Sequence, residues 1–189
     1  PTVLAAKKQK EPKPQQPISI EADELYFSDK TGEMFARGNV VITQEQNHIF
    51  ADIVRGNDQQ TEIWVDGPLR FQEPLTNFTG VNLRYNYGSR FGMMRELDGR
   101  CGDIFVSGKQ ADIADGKYTL YSSTATGCKT KGTPDYRVTA RKIEIWPGDK
   151  MIAHDAKVWV KNTVIYSTPR YRKSLRQQEN EREFPQIGY

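Results

Sequence analysis

The chain has 189 residues, with 27 Lys plus Arg against 24 Asp plus Glu for a formal net charge of +3, and a mean hydropathy of −0.72. The surplus belongs to the ends: residues 1–17 hold four Lys and one Glu, residues 170–189 hold five bases and three acids, and residues 18–169 come to −2. A near-neutral body excludes a phosphate-binding surface built on bulk charge, so no nucleic acid is expected as partner, and no apolar run approaches the roughly 18 residues of a helical membrane span.

Residues 1–17, PTVLAAKKQKEPKPQQP, contain four of the ten prolines and no apolar periodicity. They read as a disordered linker or the remnant of a leader. The next 152 residues, 18–169, read as one domain. The chain contains 11 Val, 13 Ile and 14 Thr against 8 Leu and 4 Met, a bias toward strands, because branched side chains fit a pleated surface better than a helix. Alternation recurs along the chain. Ala36, Gly38, Val40 and Ile42 share one face, as do Ile63, Val65, Gly67, Leu69 and Phe71, and then Ile152, His154, Ala156, Val158 and Val160. Turn signals at Asp29–Gly32, Gly56–Asp58, Asp115–Gly116, Gly132–Pro134 and Pro147–Asp149 separate about ten to twelve short strands. Small residues at 22, 51, 79, 107 and 139 recur at spacings of 29, 28, 28 and 32, so each unit is a strand pair. Units of this length cannot bury an apolar face alone, and a rolled antiparallel stack suits them better than a propeller, whose blades need about 40 residues. Residues 170–189 read as a connector toward something beyond the chain.

Chemistry-bearing motifs are missing. His48 and His154 have no second ligand at metal spacing, and His154 is placed on the apolar face of its strand. No nucleophile motif, phosphate loop or zinc signature occurs, so neither catalytic residues, metal nor cofactor is expected. Trp64, Trp146 and Trp159 are widely spaced and read as packing or rim residues.

The two cysteines are Cys101 and Cys128. Strand-like runs at Ile104–Gly108 and Lys117–Thr124 flank a turn signal, and a turn centred between Ala114 and Asp115 sets Cys101 directly opposite Cys128. A turn one residue later moves the opposite position to 130. A Cys101–Cys128 disulfide, and with it an oxidising compartment, is therefore expected.

The stretch Pro17-Ile18-Ser19-Ile20-Glu21-Ala22-Asp23-Glu24-Leu25, then Ala36-Arg37-Gly38-Asn39-Val40-Val41-Ile42 and Ile49-Phe50-Ala51-Asp52, resembles the opening of the OstA (organic solvent tolerance) family. That family includes the periplasmic bridge protein LptA and the amino-terminal domain of LptD in lipopolysaccharide export. Tyr136 through Ile145, Ala153 through Val160, Val164-Ile165-Tyr166-Ser167-Thr168-Pro169 and Arg172-Lys173-Ser174 resemble the LptD end of such a domain. The resemblance covers nearly all of residues 17–174. It implies an all-β antiparallel β-jelly-roll of stacked strand pairs, open along one side, whose apolar interior shields lipopolysaccharide acyl chains while the sugars face water. It also implies a periplasmic location associated with the outer membrane. The partners it implies are an LptA-like bridge protein stacked on the amino-terminal edge strand, and an outer-membrane barrel with its plug lipoprotein. In LptD proteins a cysteine at the position of Cys128 is often joined to the barrel, an alternative to the pairing with Cys101.

Within that expectation the trough-lining residues are Val40, Ile42, Ile63, Val65, Leu69, Phe71, Leu83, Val106, Leu120, Val138, Ile143, Val158 and Val160. Each alone is equally consistent with ordinary core packing; only a set that faces one cavity carries the functional claim. One rival is an envelope assembly module that binds protein partners through edge strands without touching lipid, and a dry, packed interior would favour it. A carbohydrate-active β-solenoid ranks last, because it needs clustered carboxylates and these are scattered.

Overall fold

The computed structural model describes residues 17–114, 116–127 and 135–176. They form twelve strands: β1 (Ser19–Glu21), β2 (Glu24–Phe27), β3 (Glu33–Gln44), β4 (Asn47–Asn57), β5 (Glu62–Glu73), β6 (Thr76–Asn86), β7 (Phe91–Cys101), β8 (Ile104–Ala114), β9 (Lys117–Thr126), β10 (Tyr136–Trp146), β11 (Lys150–Val160) and β12 (Thr163–Ser174). From β3 to β12 each strand pairs antiparallel with its successor, while β1 and β2 lie end to end along the outer edge of β3. The sheet is not closed on itself: the fold is the all-β antiparallel roll that the alternation points to, with the opening that the family resemblance implies.

The strands number as the turn signals predict, but most are longer than short half-buried strands, at 10 to 12 residues from β3 onward. Each serves two layers by bending near its middle. The bends fall on a line across the sheet, marked by positive φ at Gly38, Asn39, Gly67, Asn82, Glu96, Ser122 and Asp155. Register shifts between β3 and β4, β4 and β5, β5 and β6, and β6 and β7 lie on the same line. An extra residue in one strand of a pair sharpens the local twist and lets the sheet fold over without breaking the ladder on either side. On β12 the matching position, between the partners of His154 and Ala156, is Pro169, where no ladder donor is needed.

The spacing of about 28 residues has the same origin, since two long strands with their turns make one unit. Thr79, Ser107 and Thr139 do fall on one cross-strand row, through Asp98 and Thr124. Ala51 does not belong to that row, because Phe50 and Arg70 occupy it on β4 and β5.

Gly38 shows what a bend costs in sequence. Its φ is +78°, and a Cβ there would sit 2.5 Å from Asp23 Oδ2. The Asp23 N–H donates to the Gly38 carbonyl at 2.8 Å, and Asn39 Nδ2 donates to the Asp23 carboxylate at 3.0 Å. Asp23 thus stitches the break between β1 and β2 to the bend in β3, a place only glycine fits.

The bend at Asp155 corrects one expectation. Upstream of it Met151 and Ala153 point inward, and downstream Ala156 and Val158 do, so the phase of alternation shifts by one residue. Ile152 and His154 therefore lie on the outer face, and His154 is not on the apolar side of its strand.

Candidate functional site

The inner faces of the two layers meet in a single apolar cluster. One cross-strand row runs Ile42, Ile49, Phe71, Phe78, and further along the sheet Val106, Ala125, Val138 and Val158 continue it. Another joins Ala111, Leu120, Ile143 and Ala153. Twelve of the thirteen expected lining residues, Val40, Ile42, Ile63, Val65, Leu69, Phe71, Leu83, Val106, Leu120, Val138, Ile143 and Val158, belong to this cluster at no more than 5% exposure. The thirteenth does not. Val160 is 41% exposed at the last position of β11, beyond the register shift at Val158 and Trp159, and pairs with exposed Tyr136. The interior also contains Phe78, Tyr85, Met94, Leu97, Tyr118 and Ile145, which the sequence reading passed over. Cross-strand partners of the expected set, such as Ile49 opposite Ile42, become visible only once the register is known.

Opposite the line of bends, the strand ends of the two layers meet across a seam that side chains bridge. Near the amino-terminal end, Tyr85 Oη donates to Gln44 Oε1 at 3.1 Å, and Gln44 Nε2 donates to the Tyr87 carbonyl at 3.0 Å. Tyr87 Oη donates to Asp58 at 2.6 Å, and burial, reinforced by that carboxylate, holds the Tyr87 phenol well above its ordinary pKa. Beside them Arg90 Nη2 meets Glu45 Oε1 at 2.7 Å. Further along, Tyr118 at the start of β9 reaches Glu73 and Thr76 at the facing ends of β5 and β6, with its ring edge-on to Phe78 at 5.0 Å. Burial, then the Glu73 charge, pushes the Tyr118 phenol far up. Gln44 and Thr76 are among the few buried polar side chains, and both stand at this seam. A small recess lies under the Gln44 and Tyr85 pair, lined by Ile18, Ile42, Ile49, Ile63 and Phe71.

The outer face carries the charges. Glu144 is flanked by Lys117 at 3.4 Å, Lys142 at 3.7 Å and His154 at 3.6 Å. Burial raises the Glu144 pKa, but Lys117 and the other cations outweigh it and hold the carboxyl below its usual range. His154 thus sits beside a carboxylate that sequence spacing did not reveal. Each tryptophan is covered by a cation: Arg84 over Trp64, Lys117 and Lys150 over Trp146, and Arg137 over Trp159. They are rim residues, as their spacing suggested. An open depression of about 530 Å³ crosses the bend line, lined by Val41, Phe50 and Val81, with Asp52 and Glu96 among its walls. Its carboxylates make it a poor seat for a phosphate.

Cys101 is a free, buried thiol at the end of β7. The expected β8–β9 hairpin forms, but Cys101 is not on it, being the last residue of β7. The chain reverses at Gly102 and Asp103, so Cys101 pairs with Ile104 and Thr76. The β8–β9 register sets Ala114 against Lys117, one residue later than the turn that would have aligned the sulfurs. Cys128 lies outside the described residues. Burial, followed by the Glu73 charge, pushes the Cys101 pKa up to about 12.

Both edges of the sheet present apolar side chains. On β2, Leu25, Tyr26 and Phe27 are exposed, and on β12 Val164, Ile165 and Tyr166 are exposed. Their backbone groups on the outer side have no ladder partner among the described residues. Such edges are joining surfaces unless something blocks them.

No curated protein matches the chain. Among solved structures, the chain is similar to LptH, the LptA homologous periplasmic component of the lipopolysaccharide transport device of Pseudomonas aeruginosa. That match has a TM-score of 0.46 and 20% identity over 51% of this chain and 75% of LptH. A family model, that of the LptA/(LptD N-terminal domain) LPS transport protein, matches residues 19–165. Running from β1 into β12, that match takes in nearly the whole sheet, and the chain belongs to the LptA and LptD amino-terminal domain family of lipopolysaccharide transport proteins.

Proposed function

We propose that the chain is a non-enzymatic periplasmic carrier that takes lipopolysaccharide acyl chains between its two layers and passes the lipid toward an outer-membrane translocon. The observation that carries this reading is the convergence of twelve expected apolar side chains, from seven strands, on one interior. Each acyl CH₂ moved from water into such an interior contributes ~0.8 kcal/mol, so burial alone can hold a multi-chain lipid. Movement along the axis requires only that successive strand pairs offer similar surfaces, which the repeat supplies. The apolar edges support the assembly part of the reading: an LptA-like bridge protein adds to β1 and β2, and a barrel with its plug lipoprotein lies on the β12 side.

The test is photocrosslinking from Val40, Val65 and Val158, which should capture lipopolysaccharide, while outward Arg37 and Lys157 should not. Equal labelling at all five positions would defeat it.

One observation favours a second reading. The interior side chains are almost fully covered by the protein's own atoms, as an assembly module joined by its edges and never loaded would require. In that case none of the interior positions captures lipid, yet the edges still bind protein. For the carrier reading to hold, the layers must part, and the seam is where only side chains oppose it.

A further inference from the structure

The near-neutral body is polarised along the sheet. Residues 18–135 hold twelve Lys plus Arg against seventeen Asp plus Glu, a net −5, while residues 136–176, which carry β10, β11 and β12, hold ten against three, a net +7. The register gathers much of that surplus on one outer face. Lys142, His154 and Arg170 form one cross-strand row, Glu144, Ile152 and Arg172 the next, and Trp146, Lys150 and Ser174 the last. Lys117 joins them from β9, and Lys117 Nζ and Lys150 Nζ each lie 4.9 Å from the centre of the Trp146 ring. The carboxylate contacts of this patch go to Glu144, from Lys117, Lys142 and His154; Lys150, Arg170 and Arg172 make none among the described residues. Even with Asp112, at the far end of the Glu144 row, two carboxylates face five fixed cations, so the face keeps a positive field whichever of them is paired. The Trp146 end of the patch borders the seam. Lys117 directly precedes Tyr118, which bridges to Glu73 and Thr76, and in the β10–β11 turn a Cβ on Gly148 would stand 3.1 Å from Leu75 Cδ1 of the β5–β6 turn. From there to the Lys142 row is four residues, ~13 Å of strand, which is room for two phosphates on adjoining sugar rings.

We propose that this outer face holds the phosphorylated sugar of the transported lipid as it emerges from the seam. Lys117 and Lys150 take a phosphate at the seam edge, and Lys142, Arg170 and Arg172 take a second one further out. Lysine serves a phosphate as a point charge and arginine as a two-pronged donor, so the two ends of the patch hold it in different ways. The inference rests on the lipid-carrier reading and adds to it a site for the head group, outside the interior that would cover the acyl chains. A membrane surface fits the patch less well. The cations run to the outer edge of β12, whose backbone groups have no ladder partner among the described residues and must stay in water.

The experiment measures binding of the full chain to a bisphosphorylated acylated disaccharide and to its dephosphorylated form, both in neutral detergent micelles, with thermal melts to confirm folding. Wild type should prefer the phosphorylated lipid by about tenfold or more, the scale of one charge-assisted contact, and the preference should shrink as salt rises. Lys150→Gln, Arg170→Gln and Arg172→Gln combined should abolish the preference and leave the dephosphorylated lipid unaffected; a preference that survives overturns the assignment. Arg37→Gln, Arg95→Gln and Lys109→Gln combined remove the same charge from exposed positions on β3, β7 and β8 and should leave the preference intact. Equal loss in the two triple variants would reduce the effect to bulk charge and overturn the site. Displacement of the phosphorylated lipid by millimolar inorganic phosphate would assign the patch to free phosphate. Equally tight binding to phosphatidylglycerol vesicles, lost in the first triple variant, would assign it to a membrane surface, and either result overturns the proposal. If wild type binds both lipids without preference, this site fails and the carrier reading stands; if it binds neither, both fail.

Discussion

Tyr118 at the start of β9 donates its phenolic hydrogen bond to the Glu73 carboxylate at the end of β5, joining positions 45 residues apart across the seam. The same oxygen meets Thr76 Oγ1 at 3.3 Å, and the ring stands edge-on to Phe71 and Phe78. One side chain therefore supplies both the polar bridge and the apolar packing that hold the two layers together at mid-sheet. Tyr118→Phe separates the two contributions, because it keeps the ring and deletes the hydroxyl. Leaving Glu73 and Thr76 short of a partner should cost about 1–3 kcal/mol, read as a lower urea midpoint at unchanged slope. An unchanged midpoint would mean that water replaces the hydroxyl at no cost and the bridge contributes nothing.

The same region predicts how stability falls in alkali. Burial raises the pKa of the Cys101 thiol from 9.0 to about 12, and burial with a nearby carboxylate raises the Tyr87 and Tyr118 phenols above their ordinary 10.0. In each case the unfolded chain releases its proton first, so the folded state is favoured fully below pH 9 and loses ground as pH rises through 9 and 10. The deeply buried Tyr118 weakens folding by at most ~1.4 kcal/mol per pH unit above its unfolded pKa, and Cys101 and Tyr87, nearer to solvent, by less. The urea midpoint should therefore drop steeply between pH 9 and 11, and Tyr118→Phe should flatten that slope. A flat profile over this range would show that these groups ionise in the folded state.

Cys101 gives a second readout of the same burial. A thiol that remains protonated and covered reacts slowly, because the thiolate is the nucleophile. Alkylation by iodoacetamide at pH 8 should leave Cys101 unmodified in the folded protein and modify it rapidly in 6 M guanidinium. Modification in guanidinium only after a reductant would overturn the free thiol, and mass mapping would identify the partner cysteine.

Gly38 tests the bend line. Gly38→Ala places a Cβ against the Asp23 carboxylate and forces a positive φ on an L side chain. The strain from φ alone is about 1–2 kcal/mol, and the clash adds to it unless Asp23 moves away and releases Asn39. Asp23→Ala combined with Gly38→Ala should then cost less than the sum of the two single changes. Strict additivity would mean that the two residues do not share one structure.

These positions also explain what was legible in the sequence. Alternation within β5 placed Ile63, Val65, Leu69 and Phe71 correctly because its bend, at Gly67, keeps the same parity on both sides. At Asp155 an ordinary residue takes the positive φ, parity flips, and His154 with Ile152 moves to the outer face. Nothing in the local pattern announces such a flip. The seam was illegible for a different reason. Gln44 with Tyr85, and Glu73 with Tyr118, are separated by 41 and 45 residues and meet only after the sheet folds over. The alignment argued for Cys101 differs for a third, because a tight reversal at Gly102 and Asp103 puts Cys101 in the strand before the hairpin used to align it.

The two edges of the sheet make the remaining prediction. β2 and β12 expose apolar side chains at opposite ends of one open sheet, and they differ in sequence. If β12 of one molecule adds to the β1 and β2 edge of the next, the contact is head-to-tail and does not close, so assembly should grow with concentration rather than stop at a dimer. Tyr26→Lys on β2 or Ile165→Lys on β12 places a charge on one edge and leaves the other intact. Each variant alone should sediment as a monomer at concentrations where wild type forms longer species. Mixed together they should form dimers and nothing larger, because each retains the edge that the other has lost. Monomers in the mixture would show that the two edges do not recognise one another, and dimers from either variant alone would show a symmetric contact through the edge left untouched.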